Sequence, residues 1–172
     1  WLHGLGTDGH DFEPLIPQLG IVEQHAVRVL LPHAPSRAVT INNGAVMPAW
    51  YDITEAADFS QAQDSEGIRE AEGQLHALIE REIANGMDSG RILLAGFSQG
   101  GAVVLHTGLR YPRPLAGILA LSTYLPLSDT LQQEAAEANR AIPVMMAHGT
   151  SDPIVPLALA GQSRAELEQQ GY

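Results

Sequence analysis

The sequence predicts an α/β fold: a mostly parallel central sheet with helices on both faces, in one domain spanning residues 1–172. Three observations carry that expectation. Four short runs are almost continuously apolar, as strands read when neither face meets water. Helical patterns lie between most of them, which makes βαβ units and hence parallel strands. The chain, 45% hydrophobic over 172 residues, is long enough for one real core and holds no linker, repeat or low-complexity tract that would divide it.

Taken in order, Trp1-Leu2-His3-Gly4 reads as the end of a strand entering a loop. Residues 27–31 (VRVLL) form the first full β-type run. Residues 32–58 break the alternation. They are rich in Pro, Asn and Gly and read as a long loop, ordered because Val46, Met47, Trp50 and Tyr51 give it apolar anchors. A helix follows over residues 66–85, with Ile68, Ala71, Leu75, Leu78, Ile79 and Ile83 at steps of three and four. Asp64 and Glu66 suit its start and Gly86 its end. Residues 91–95 (RILLA) are the second strand and 99–110 a helix. Residues 117–121 (GILAL) are the third strand, followed by a weaker helix over 128–139. Residues 143–147 (PVMMA) are the fourth strand, and 157–170 the last helix, closed by Gly171.

Composition excludes several functions. A net charge of −11 argues against a nucleic-acid or anionic-membrane partner, since either wants a basic patch. With no cysteine there is no disulfide framework, thiolate chemistry or Cys-based zinc site, which suits the cytoplasm. The longest apolar stretch, residues 115–127, is too short to span a bilayer. Neither H-E-x-x-H nor clustered His and Asp spacing occurs, so no metal is expected.

The chemistry concentrates in Gly96-Phe97-Ser98-Gln99-Gly100, a G-x-S-x-G between a buried strand and a helix. That context exposes a serine Oγ on a sharp turn at the top of an α/β-hydrolase sheet. Gly96, Gly100 and Gly101 remove side chains that would otherwise collide where strand and helix approach. The bland alternative is a glycine-rich turn whose serine only caps the helix. A triad acid is expected in a loop after a later strand, and His148-Gly149-Thr150-Ser151-Asp152-Pro153 follows the fourth one. Asp152 is the candidate, with Asp129 the weaker choice. Two N–H groups should face the oxyanion: that of Gln99, after the nucleophile, and one from the early loop, where Leu5 is the candidate. His3 reads as a structural loop residue. Gly4-Leu5-Gly6-Thr7-Asp8-Gly9 also fits the dinucleotide pattern G-x-G-x-x-G. That fingerprint needs an acid at the end of the next strand, and residues 32–35 (PHAP) supply none, so no nucleotide cofactor is expected.

The segments "WLHGLGTDGHDF", "LPHAP", "MPAWYDI", "RILLAGFSQGG", "ALSTYLP" and "HGTSDPIVP" run in one order over nearly the whole chain. Together they resemble the carboxylesterase and acyl-protein thioesterase family of α/β-hydrolases. The resemblance implies a serine carboxylesterase with little or no lid, acting without cofactor on small-molecule esters or acyl-protein thioesters. It implies Ser98 as nucleophile, Asp152 as acid, and the Leu5 and Gln99 N–H groups as oxyanion hole. It also implies that Met47, Trp50, Tyr51 and Leu125 line an apolar acyl groove; ordinary core packing is the alternative for these four. A homodimer is left open.

One family feature is missing. The triad histidine should follow the acid, yet all seven histidines (His3, His10, His25, His33, His76, His106 and His148) precede Asp152. His76 and His106 fall within helices, and His148 reads as a shaper of the acid loop. The chain begins in mid-strand and stops after a helix, where the resemblance implies one more strand and a Gly-His loop. The expectation is a domain incomplete at both ends, refuted by cleanly cooperative unfolding of these 172 residues alone. A non-catalytic binding module on the same scaffold is the competing reading, and a Gly-His after a further β-type run separates the two.

Overall fold

The computed structural model describes residues 1–54 and 63–172. Residues 55–58 of the expected long loop lie outside the described residues. The central sheet holds β3 (Leu93–Phe97), β4 (Gly117–Leu121) and β5 (Val144–Ala147), all parallel and neighbours in that order. The register sets Phe97 opposite Leu121 and Leu121 opposite Ala147, so the three strands end level. On the free side of β3, the Leu2 N–H donates to Ala95 O (2.8 Å), and the Phe97 N–H donates to Leu2 O (3.0 Å). One step further out, the Trp1 amine donates to Leu30 O at 2.7 Å. Trp1 and Leu2 therefore sit between Leu30 and β3.

α2 (Ser65–Ala84) starts where the Asp64 carboxylate accepts from Gly67 N–H at 2.9 Å, filling one of the unpaired donors of a helix start. It buries Ile68, Ala71, Leu75 and Ile79. α3 (Gln99–Arg110) is buried at every position, being packed between β3, β4 and α2. Gly108 allows that approach: a Cβ there would lie 2.6 Å from Ile118 Cδ1. Arg110, at the end of α3, donates to Glu134 (2.7 Å), Leu127 O (2.9 Å) and Thr130 Oγ1 (2.9 Å), tying α3 to α4 (Ser128–Glu134). Its guanidinium, with the hydroxyl of Thr130 and with Arg69, offsets burial and holds the Glu134 carboxyl down at about 2. α5 (Leu157–Gln169) closes the described chain. No described helix is long and apolar enough to cross a membrane.

Three expectations need correction. Residues 27–31 run alongside Trp1 but form no strand. Among the described residues, the Trp1 amine donates to Leu30 O, and Val27 is 40% exposed. The expected long loop instead contains a short chain of structure: after α1 (Ile21–Gln24), β1 (Ser36–Val39) pairs antiparallel with β2 (Ala45–Pro48). Its turn passes through Asn43 and Gly44 at φ 55° and 74°, the left-handed region that Asn and Gly tolerate best. The expected helix over 128–139 breaks after Glu134. The Ala136 N–H turns to Leu109 O (2.9 Å), and a 3-10 turn follows at Glu137–Asn139. Asn139, buried, then reaches three backbone groups: its Oδ1 accepts from Leu115 N–H (2.9 Å), and its Nδ2 donates to Tyr111 O (2.8 Å) and Arg113 O (2.9 Å). Satisfying that loop requires leaving the helical path.

Candidate active site

β3 ends at Phe97 and α3 starts at Gln99, so Ser98 alone reverses the chain. It does so at φ 52° and ψ −120°, a conformation that costs a non-glycine residue about 1–3 kcal/mol. The surroundings hold it there. Its N–H donates to Leu121 O (2.8 Å), and its carbonyl accepts from Ala102 N–H (3.1 Å) and Thr123 Oγ1 (2.7 Å). The glycines are needed for space. A Cβ on Gly96 would lie 2.3 Å from Gly100 O, and one on Gly100 would lie 2.5 Å from Leu2 O and His3 O. Ser98 is half-buried, and its hydroxyl makes no capping bond to α3.

Leu2's pairing with β3 brings the early loop beside the serine: a Cβ on Gly4 would lie 3.5 Å from Ser98 Cβ. Leu5, half-buried, follows. His3 is fully buried. Its Nε2 accepts from Ala34 N–H (3.0 Å), so Nδ1 carries the proton and donates to Gly4 O (2.8 Å). Burial pushes its pKa below the usual range, which keeps this neutral form. Trp50 Nε1–H donates to His3 O at 2.9 Å. The Gln99 side chain, also buried, accepts from Trp50 N–H (2.8 Å) and donates to Tyr51 O (2.6 Å). The Gln99 and Leu5 residues chosen for their N–H groups are thus joined through Trp50. No sequence pattern distinguishes a glutamine side chain that clamps a loop 48 residues away.

The acid loop leaves β5 with its first residue next to the other strand ends, as Ser122 N–H donates to Ala147 O (2.8 Å). Asp152 Oδ1 accepts from the N–H groups of Ile154 (2.9 Å) and Val155 (3.0 Å). These two bonds, with His148 and the Ser122 hydroxyl, hold its pKa below the usual carboxylate range. Ser122, at φ 48°, is a neighbour that the sequence did not single out. His148 Nε2 lies 2.7 Å from Val155 O and 3.6 Å from Asp152 Oδ2, so it closes this loop on itself. Asp129 lies apart, exposed in the first turn of α4.

Of the expected groove residues, Trp50, Tyr51 and Leu125 are only 3, 2 and 5% exposed and belong to the core. The Tyr51 and Tyr124 hydroxyls share a hydrogen bond of 2.8 Å, and burial pushes Tyr124 up to about 12. Met47 is half-buried, its Sδ 3.2 Å from Asn42 Nδ2. Other histidines are engaged elsewhere. His106 is buried against Glu72 at 3.3 Å, His33 Nδ1 accepts from Gly9 N–H at 3.1 Å, and His10 pairs with Glu13 at 2.8 Å.

Comparison with known proteins agrees with this arrangement. The family model described as Phospholipase/Carboxylesterase matches residues 1–170. Acyl-protein thioesterase 1 of Schizosaccharomyces pombe is 42% identical over 167 residues, covering 97% of this chain and 73% of that protein. The protein of the same name from Neurospora crassa is 40% identical, covering 100% of this chain and 73% of its own length. Among solved structures, Arabidopsis thaliana SOBER1 superposes with a TM-score of 0.92 at 34% identity, over 99% of this chain and 82% of that one. Zea mays acyl-protein thioesterase 2 gives 0.85 at 26% identity, over 99% and 78%. With the elbow at the sheet's carboxyl edge and this likeness over the whole chain, the protein is a hydrolase of the phospholipase/carboxylesterase family, with the α/β-hydrolase fold.

Proposed function

We propose that the chain is a serine esterase that transfers the acyl group of carboxylic esters or acyl thioesters to water through an acyl-enzyme on Ser98. The observation that carries this reading is the strained Ser98 backbone, φ 52°, with a hydroxyl that does not cap the helix it precedes. A serine kept at such a cost, with a hydroxyl that does not cap the helix, fits a nucleophile. Its Oγ attacks the acyl carbonyl and passes its proton to a general base. The Leu5 and Gln99 N–H groups receive the oxyanion, the leaving alcohol or thiol takes the proton, and water repeats the sequence to release the acid. Asp152, held ionised by the Ile154 and Val155 N–H groups, is the acid that orients the base. The family resemblance implies that the base is a histidine placed after Asp152.

The names of the relatives support acyl-proteins as one substrate class, beside small soluble esters. Met47 is the expected groove residue with surface to offer an acyl chain; Trp50 and Tyr51 fix its loop through Gln99 and His3, and Leu125 is buried in the core. The test uses the full-length gene product. A fluorophosphonate probe should label it, and S98A should abolish the label. No labelling of the wild-type protein sinks the proposal. A p-nitrophenyl ester chain-length series beside an S-acyl thioester then separates the two substrate classes.

A further inference from the structure

Three hydrogen bonds in series join the side chain of Gln99 to the Gly4–Leu5 peptide, and a fourth, from Thr7, braces the far end. Gln99 Oε1 accepts from Trp50 N–H at 2.8 Å. The indole of the same Trp50 donates Nε1–H to His3 O at 2.9 Å. His3 Nδ1–H donates to Gly4 O at 2.8 Å, and the Thr7 hydroxyl donates to the same oxygen at 3.1 Å. That oxygen belongs to the Gly4–Leu5 peptide, whose N–H is the Leu5 donor. A trans peptide is planar, with its N–H directed opposite to its C=O. Whatever fixes Gly4 O therefore aims Leu5 N–H. His3 is locked in its turn, because Ala34 N–H occupies Nε2 at 3.0 Å and so selects the Nδ1–H tautomer.

We propose that Trp50 and the Nδ1–H tautomer of His3 are positioning residues for the oxyanion hole: a buried strut that sets the spacing and aim of the Leu5 and Gln99 N–H donors. The inference rests on the reading of those two N–H groups as donors. It also gives Trp50, 3% exposed, a role that needs no contact with substrate. The effect should appear at the step where charge develops on the carbonyl oxygen, and not in ground-state binding.

The test is run on the full-length gene product, with a p-nitrophenyl ester as substrate and a trifluoromethyl ketone as a mimic of the tetrahedral adduct. W50F deletes the indole donor and keeps the apolar ring. H3Q places a polar atom near the Nε2 position and loses the Nδ1 donor; H3N keeps a donor near Nδ1 and loses the Nε2 contact. W50F and H3Q should each lower kcat and weaken trifluoromethyl ketone inhibition by a matching 10- to 100-fold, with KM within 2-fold. H3N should recover at least 10-fold of the kcat lost in H3Q. A variant whose melting curve is lost is replaced by T7V, which removes one donor to Gly4 O and should lower kcat 3- to 10-fold at unchanged KM. L5P, which lacks the N–H, separates the two levels. If L5P lowers kcat but W50F, H3Q and T7V do not, the strut is refuted and the donor reading stands. If L5P folds and keeps full kcat, the donor reading falls and takes the strut with it. If KM rises while kcat holds in W50F, Trp50 is a groove residue and the strut is refuted.

Discussion

Gly96→Ala tests whether the elbow depends on the closeness of two backbones. The added Cβ would meet Gly100 O at 2.3 Å, Gly100 C at 2.5 Å and Gly101 N at 2.7 Å. All three are main-chain atoms at the start of α3, so no side chain can swing aside. Reaching ordinary contact at about 3.4 Å requires β3 and α3 to part by roughly 1 Å. Overpacking of this kind costs typically 1–3 kcal/mol, and the rigid neighbours place this site at the upper end. At about 2–4 °C per kcal/mol for a domain of this size, the melting temperature should fall by roughly 6–12 °C. Gly73→Ala is the control. It lies within α2, on the exposed side, with nothing within 4 Å of its added Cβ. There Ala gains about 0.8–1 kcal/mol of helix propensity, so the same substitution should raise the melting temperature by about 2–4 °C. Circular dichroism melts of the full-length gene product read both. The displaced Ser98 should also react with a fluorophosphonate about 100-fold more slowly, the usual cost of a 1 Å misplacement. A G96A protein melting within 2 °C of the wild type would refute the reasoning.

Three further outcomes are expected. R110M should lose about 1.5–3 kcal/mol, because it removes the charged bond to Glu134, which keeps Arg69 and Thr130, and the bond to Leu127 O that ties α3 to the start of α4; urea unfolding measures it. N139D should destabilise more than N139A, since Asp keeps the acceptor for Leu115 N–H but sets a carboxylate against Tyr111 O and Arg113 O; paired melts compare them. Stability should fall as pH drops below about 6.5, the unfolded histidine value. Burial lowers the folded pKa of both His3 and His106, so the unfolded chain binds more protons there, and their contribution is complete above that pH and lost toward the folded values. Urea midpoints from pH 5 to 8 check it, and H106Q should flatten the dependence.

What could be read from the sequence was whatever has a short-range physical cause. The helix at 99–110 and the strand at 117–121 match their expected bounds because each has a local signal: a run of apolar residues for the strand, and glycines followed by Ala102 to Leu105 for the helix. The elbow was legible because a reversal in one residue demands glycines at fixed offsets. The β1–β2 hairpin was missed although Asn43-Gly44 between Val39 and Ala45 is a hairpin signal; four-residue strands are too short to show alternation. Residues 27–31 have strand composition, but strand bounds are set by pairing, which composition does not report. The site was legible as a set of residue types and not as a network. The bonds of Gln99 to Trp50 and Tyr51, and of Asn139 to residues 111–115, are long-range and polar, and polar side chains carry no periodicity.

The way Asp152 is held has a consequence for mutational scanning. Both bonds to its Oδ1 come from the main chain of Ile154 and Val155, and His148 closes the segment onto Val155 O. The Ile154 side chain, meanwhile, is 72% exposed. A library that varies side chains at 154 will score the position as neutral almost throughout, even though the aim of the carboxylate passes through it. Proline, which has no N–H to give, is the one replacement that will expose the dependence. Tolerance at 154 would then measure how much of this loop's work is done by main-chain atoms.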